Sequence, residues 1–288
     1  MESSGYRLIK LACGAWSVHS LAHRETFHPV IGPVAEAEAL YVKQLRLGER
    51  LRAHRGEFII WDVGLGAAAN ALTVLSAVRE IDCRIRLVSF DHTIRPLCFA
   101  LNHAAALGYF GDYLSCVQHL VPHHRVSFTR GQQTVAWQLH LADFPSLLDL
   151  PGPHTLTPSL PAPHAILFDA FSPATNPAMW TQALFTNLFK HLDPQRPCAM
   201  PTYSRSTMLR VSLLLAGFYV GAGHATGEKE ETTIAANTLD LIDEPLDGQW
   251  LGRARRSTSA EPLWEPVYRQ ARMSDMTWEK LQGLAQFR

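Results

Sequence analysis

The chain has 288 residues, 47% of them apolar, with 26 basic and 26 acidic side chains and a formal net charge of zero. This is ample for a domain with a buried core and too apolar for a disordered chain, and it excludes nucleic-acid binding driven by overall charge, leaving room only for a local patch. No apolar run reaches the roughly 20 residues that cross a bilayer, the N-terminal apolar stretch is too short for a signal peptide, and the five scattered cysteines, with no CxxC pair, point to free thiols in a reducing compartment, by default the cytoplasm.

In chain order, residues 14–31 alternate enough for a short hairpin, and GPVAEAEALYVKQLRLGERLRA reads as one helix with Pro33 near its start. Four short apolar runs follow: EFIIWD, IRLVSFD, VAWQLHLAD and AILFDAF. Between or after them lie the helical patterns AANALTVLSAVREI, IRPLCFALNHAAALG and AMWTQALFTNLFKHL. The order continues with CAMPTYS, the helix RSTMLRVSLLLAG and strand-like segments ending in EETTIAAN. Strand and helix alternate with short spacers, which predicts an α/β fold with a mostly parallel sheet. The Pro-rich segment 150–164 reads as an exposed, mobile loop that the fold can spare. The tail from about residue 244 has fewer apolar residues, an Arg cluster and three Trp, with a final helix from about Ser274.

Ligands of such sheets sit beyond the carboxyl ends of the strands. Asp62, Asp91, Asp143 and Asp169 all fall at those ends. After the first apolar run, DVGLGAAANAL makes a strand, a glycine turn and a helix start, where Gly64 and Gly66 permit a tight turn and the helix offers unpaired backbone N–H groups. Read as GxGxxA with Asp91 one strand later, it resembles a dinucleotide fingerprint. Read as DxGxG, it resembles the first motif of class I S-adenosylmethionine methyltransferases. Asp62 favours the second reading, because a carboxylate is unfavourable beside a pyrophosphate and not beside a cationic ligand. That resemblance places Asp62, Gly64, Gly66, Asn70, Asp91 and Asp143 around the cofactor, with Asp91 on the ribose hydroxyls and Asp143 at the adenine amine.

The stretch DAFSPATNPAMW, Asp169 to Trp180, closely resembles the DAF-x-P-x-x-NP-x-MW signature of the MnmC-type methyltransferase domain, which performs the final methylation of 5-methylaminomethyl-2-thiouridine at the tRNA wobble position. ETFHPVIGPVAEAEALYV is similar to the N-terminal element of that family, DVGLGAAANAL to its first motif, and GEKEETTIA to a late strand. The resemblance covers about residues 14–236. It implies a class I methyltransferase (Rossmann-like) sheet with helices on both faces over residues 56–243, an N-terminal hairpin-and-helix extension over 1–55, and a C-terminal tail, 244–288, that it does not reach. Ala68 departs from a common third glycine, 150–164 looks like an insertion, and no oxidase domain follows, so the resemblance is to a stand-alone methyltransferase with a separate oxidase acting upstream.

The implied chemistry is transfer of a methyl group from S-adenosyl-L-methionine to an exocyclic aminomethyl nitrogen of tRNA. This needs no metal but does need a neutral, aligned amine. Asp169 is the residue expected to take the amine's proton. Phe171 and Trp180 are expected to stack on the base or wall the pocket, Pro173 to stiffen the corner beside Asn176, whose amide can hydrogen-bond, and Glu25 and His28 to form a lid; for Trp180, packing at a helix start is an equal reading. His119, His123 and His124 read as a solvated loop rather than a metal site, Lys229 and Glu231 as a cross-strand surface pair, and Arg253, Arg255 and Arg256 as solvated. Three rivals stand beside this function: an aminopropyl-type transferase, which the lack of a second acid in DAFSP disfavours; a non-catalytic cofactor- or RNA-binding module; and the same fold acting on another amine.

Overall fold

The computed structural model describes residues 5–149, 160–227 and 230–288. Within the run EFIIWDV, Phe58 and Ile60 turn to one apolar cluster while Ile59, Trp61 and Val63 turn to another, so the period-two pattern of β4 (Glu57–Val63) feeds cores on both faces of a sheet. β5 (Cys83–Asp91) behaves alike, with Ile85 and Leu87 on one face and Val88 and Phe90 on the other. Fully burying a side chain of this size contributes about 1.5–3 kcal/mol, which is why these runs sit at the centre.

The sheet has eight strands. β4 and β5 are flanked by β6 (Arg125–Arg130) and β7 (Gln133–Leu141) on one side. On the other lie β8 (Ala165–Phe168), β9 (Ala199–Thr202), β10 (Tyr219–Gly223) and β11 (Thr232–Ala236). The order is β10-β11-β9-β8-β4-β5-β7-β6. The five central strands, from β7 to β9, pair parallel, and the outer pairs are antiparallel. All parallel strands therefore deliver their carboxyl ends to one edge, where the predicted acids lie.

A separate three-stranded antiparallel sheet, β1 (Tyr6–Lys10), β2 (Trp16–Ser20) and β3 (Glu25–Thr26), precedes the main fold. The expected single helix after it is divided into an α-turn (Pro33–Ala37), a π-helical stretch (Glu38–Lys43) and a second helix (Leu47–Ala53), with Arg46 in the left-handed region at φ 48°. The π stretch carries Tyr41, whose hydroxyl donates to the carbonyl of Phe168, 3.1 Å away, at the last residue of β8. The widened turn thus braces the strand end that leads into Asp169, in line with the tendency of π-turns to occur at functional sites.

Three segments differ from the sequence reading. His119 and His123 lie on the helix Leu114–His123, with stacked rings, and β6 follows at once where no strand is expected. Residues 150–159 of the Pro-rich segment lie outside the described residues, as does Lys229. Residues 160–164 are built into the fold rather than exposed: His164 Nδ1 accepts from the Ile59 amide at 2.9 Å and the Pro161 carbonyl accepts from Trp61 Nε1 at 3.0 Å. The C-terminal stretch forms helices Gly248–Arg256 and Asp275–Gln282, and sends Trp250, Leu251, Leu263 and Leu281 into the same core as Trp61. Ser274 caps the last helix by accepting from the Thr277 amide. Of the Arg cluster, Arg255 is tied to the Met273 carbonyl and to Asp275. Among the described residues no helix is long and apolar enough to cross a membrane.

Candidate active site

A cavity of about 730 Å³ opens at the carboxyl edge of the parallel strands, beneath the N-terminal sheet. Its floor is the glycine turn after β4. Gly64 and Gly66 adopt φ of 91° and 51°, and Ala68 takes φ 63° to start the helix Ala69–Ala77. Two backbone bonds, from the Gly64 and Leu65 amides to the Phe90 carbonyl, hold the turn against β5. A Cβ on Gly64 would stand 2.5 Å from the backbone oxygen of Asp169. The turn and the acidic corner are therefore in backbone contact, which only glycine permits.

The four strand-end acids do not share one role. Asp91 lines the cavity; its Oδ2 accepts from the Gly66 amide at 2.9 Å and its Oδ1 from the Thr93 amide at 3.1 Å. Asp143 also lines it, while serving as the N-cap of the helix Phe144–Leu148 through the amide and hydroxyl of Ser146. Asp169 lines it at the far side, with its Oδ2 accepting from Asn70 Nδ2 at 2.8 Å.

Asp62 is placed otherwise. It is 1% exposed, beneath the turn, and not among the residues that line the cavity, with strand alternation turning its side chain to the Phe58–Ile60 face. Its Oδ2 accepts from Ser89 Oγ at 2.7 Å, and Ser89 accepts in turn from Trp137 Nε1 at 2.9 Å, while Oδ1 finds no hydrogen-bonding partner among the described residues. Burial pushes its pKa up to about 7, with the Ser89 bond opposing and Asp169 and Asp91 adding to the rise. The folded chain thus keeps a proton there that the unfolded chain releases near pH 3.8. Stability suffers no cost from this group at low pH, loses ground as the pH climbs from about 4 to about 7, and carries the full cost above that. An Asp62→Asn substitution is therefore expected to raise stability most at pH 8, by at most about 4 kcal/mol, and hardly at all at pH 4. Urea unfolding at the two pH values measures the difference, and an equal effect at both would contradict the assignment.

The DAFSP corner is stitched to the N-terminal sheet. Glu25 accepts from the Ser172 amide at 3.2 Å and from the hydroxyls of Ser172 and Thr175, so this expected substrate ligand instead acts as a clamp. Phe171 faces the cavity, with His23 tilted against it at 4.4 Å between centroids and Phe27 edge-on at 5.5 Å. Phe27 also covers Gly66. Asn176 lines the cavity, but Pro173 does not. Trp180 is fully buried: its indole N–H donates to the Phe171 carbonyl at 2.8 Å and its ring meets Phe168 and Tyr203 edge-on. It pins the corner from behind and cannot stack on a ligand, as the packing alternative had it.

Asn70, expected on the cofactor, lines the cavity but spends its amide on Asp169. The buried His28 lies between two carboxylates, with Nε2 3.4 Å from Asp169 Oδ2 and Nδ1 3.4 Å from Glu36 Oε1. Burial pulls its pKa down, but Asp169 and the hydrogen bond and charge of Glu36 outweigh this and hold it at about 9. Glu36, His23, Phe27, Ser172 and Thr175 are site residues that the sequence reading did not single out. The one available signal was for Glu36, an acid in an otherwise apolar helix start (PVAEA).

The residues fit S-adenosyl-L-methionine. The glycine turn leaves open the room that side chains would fill, Asp91 borders the same space, and Asn70 Oδ1 is a buried acceptor without a partner among the described residues.

Residues 124–238 match a family described as S-adenosyl-L-methionine-dependent methyltransferase. The chain is 30% identical over 246 residues to the tRNA 5-methylaminomethyl-2-thiouridine biosynthesis bifunctional protein MnmC of Methylibium petroleiphilum, covering 83% of this chain and 35% of that protein. It spans about a third of the length of the curated relatives it matches first. Among solved structures, MNMC2 from Aquifex aeolicus superposes with a TM-score of 0.69 at 21% identity, covering 98% of this chain and 85% of that one. A spermidine synthase bound to a transition-state analogue superposes at 0.54 and 10% identity, covering 97% and 85%. At these identities both structures show a shared fold.

Proposed function

Starting from a chain that is a homologue of the MnmC proteins and has the fold of an S-adenosyl-L-methionine-dependent methyltransferase, we propose that it methylates the exocyclic aminomethyl nitrogen of a modified wobble uridine in tRNA. The observation that carries this reading is the backbone contact between Gly64 and Asp169, which sets an acidic corner directly against the cofactor turn within one cavity.

S-adenosyl-L-methionine, when bound, supplies an electrophilic methyl group. The turn at Gly64–Gly66 and the carboxylate of Asp91 would hold it, with Asp143 also on the cavity wall. The protein's own work concerns the amine. An aminomethyl nitrogen is protonated near neutral pH and has no lone pair to offer. Asp169 accepts one of its protons and orients the nitrogen toward the turn. Phe171, backed by His23 and Phe27, offers an aromatic face for the base, where stacking is worth about 1–3 kcal/mol. The N-terminal sheet roofs the cavity, and the clamp of Glu25 on Ser172 and Thr175 keeps water from entering there. A cytoplasmic place and an oxidase activity supplying the aminomethyl precursor complete the reading. An aminopropyl transfer is less well supported, because the corner holds one acid, Asp169, followed by Ala170 and Phe171.

Two measurements test this. The first is methylation of tRNA that carries the 5-aminomethyl-2-thiouridine precursor, read by nucleoside mass spectrometry; transfer to free polyamines and not to tRNA would refute the substrate. The second is calorimetry: Asp91→Ala is expected to weaken S-adenosyl-L-methionine binding about 10- to 100-fold, the worth of one or two hydrogen bonds to a charged acceptor. Unchanged affinity would place the cofactor elsewhere.

A further inference from the structure

The ring of His28 meets a carboxylate at each of its two nitrogens. A neutral imidazole has one N–H and one lone pair, so it can satisfy only one of two acceptors; only the imidazolium donates at both. His28, Glu36 and Asp169 bring one ligand-capable atom each to within 4.8 Å of one another, but each ring nitrogen already faces its own carboxylate at 3.4 Å, the arrangement of a doubly paired imidazolium. The backbone is held for the purpose as well. His28 takes φ 48°, a strained arrangement for a non-glycine residue of the kind that clusters at functional sites. Glu36 is 5% exposed, on the first turn after Gly32, and a buried carboxylate is costly unless a charge answers it.

We propose that Glu36 is a positioning residue of the methyl transfer: it holds His28 as an imidazolium, and His28 in turn holds Asp169 ionised and aimed at the acceptor amine. This rests on the function proposed above. Asp169 then has two anchors, the His28 cation and the Asn70 amide. The trio of Glu36, His28 and Asp169 has a net charge of minus one, which suits an incoming ammonium. The proton taken from the amine goes to the Asp169 carboxylate; Glu36 also borders the cavity, but its Oε1 is turned to His28 Nδ1, so it acts through the ring.

The other titratable and charged groups around the trio do not replace this role. Tyr41 from the π stretch and Tyr203 after β9 have their pKa values raised well above the usual one by burial and by Asp169, and remain neutral. Glu25 on β3 is engaged by the Ser172–Thr175 turn, Asp62 on β4 is buried and bonded to Ser89, and Asp91, His23 and Arg24 border the same cavity.

The test is Glu36→Gln in the full chain, with two readouts. In an NMR titration of His28, the wild-type ring is expected to stay protonated to about pH 9, and the variant to lose its proton about two pH units lower. In single-turnover methylation of precursor tRNA, the ratio of wild-type to variant kcat is expected to be near one at pH 6, to rise about tenfold by pH 8, where only the wild type keeps the cation, and to close again above pH 10. A purely structural defect gives a ratio that does not move with pH. Identical His28 titrations, or a flat ratio, would overturn the proposal. Should the glutamine variant not fold, Glu36→Asp keeps the charge at shorter reach and is expected to give an intermediate shift; an unshifted His28 in it counts against the proposal in the same way. If the wild type methylates no tRNA, the proposed substrate fails while the NMR titration still decides the role of Glu36.

Discussion

Asp169→Asn is expected to slow methyl transfer about 10²- to 10⁴-fold at pH 7, the usual worth of a general base, while S-adenosyl-L-methionine binds almost as before. Asparagine keeps the size of the side chain and an oxygen for the Asn70 amide, so the corner should hold its shape. It cannot take a proton from an ammonium. Its amide also brings a donor toward His28, which already donates there, so part of the loss reflects a displaced side chain. Raising the pH should recover some of the rate, because the amine then loses its proton without help. Single-turnover methylation across pH measures both effects. A wild-type rate for the variant at neutral pH would make the corner structural.

Gly64→Ala is expected to do more general damage. The new methyl group would stand 2.5 Å from one backbone atom of Asp169 and 3.1 Å from another, and neither can rotate away as a side-chain tip would. The φ of 91° adds the strain of a left-handed residue. Gly56→Ala supplies the control: its φ is 93°, but its Cβ would meet nothing within 4 Å. The control should lose about 1–2 kcal/mol from backbone strain alone. Gly64→Ala should lose at least about 4 kcal/mol, the range of steric and cavity defects, and with it measurable cofactor binding. Thermal unfolding of the two variants side by side isolates the close contact. Equal losses would mean that the turn and the corner are not packed as described.

Much of this was legible in the chain because its signals are periodic or covalent. Alternation in EFIIWDV and IRLVSFD marks central strands, and acids at the ends of such runs fall at one edge of a parallel sheet whatever the rest of the fold does. The same alternation, followed one step further, turns Asp62 to the Phe58–Ile60 face and off the cavity wall; identity at a strand end does not by itself reveal direction. Trp180 was ambiguous for another reason. A tryptophan in a tight corner can face a pocket or a core, and its partners, Phe168 at the end of β8 and Tyr203 just after β9, come together only through the sheet order. Glu25 was illegible as a clamp because Ser172 and Thr175 lie 147 and 150 residues away, and Glu36 as a counter-charge because the turn that brings His28, eight residues before it, back against it carries no periodic signal. β6 escaped notice because RVSFTR is short and follows a run of histidines that looks like a loop. The Pro-rich stretch divides where backbone groups find partners: at Pro161, Ala162 and His164 the chain is bonded to Trp61, Arg196 and Ile59, which composition does not register.

The clamp between the N-terminal sheet and the DAFSP corner imposes an order on biogenesis. Glu25 leaves the ribosome 147 residues before Ser172, and Tyr41 leaves it 127 residues before Phe168. At 5–20 residues per second, the roof waits roughly 7–30 s for its counterpart. Until then Phe27 and Tyr41 have no corner to close against, and contacts this distant must first offset the entropy of closing a long loop. The glycine turn and β5 can meet much earlier, since Gly66 and Asp91 are only 25 residues apart. A nascent chain therefore completes the glycine turn against β5 well before the N-terminal sheet can close on the DAFSP corner.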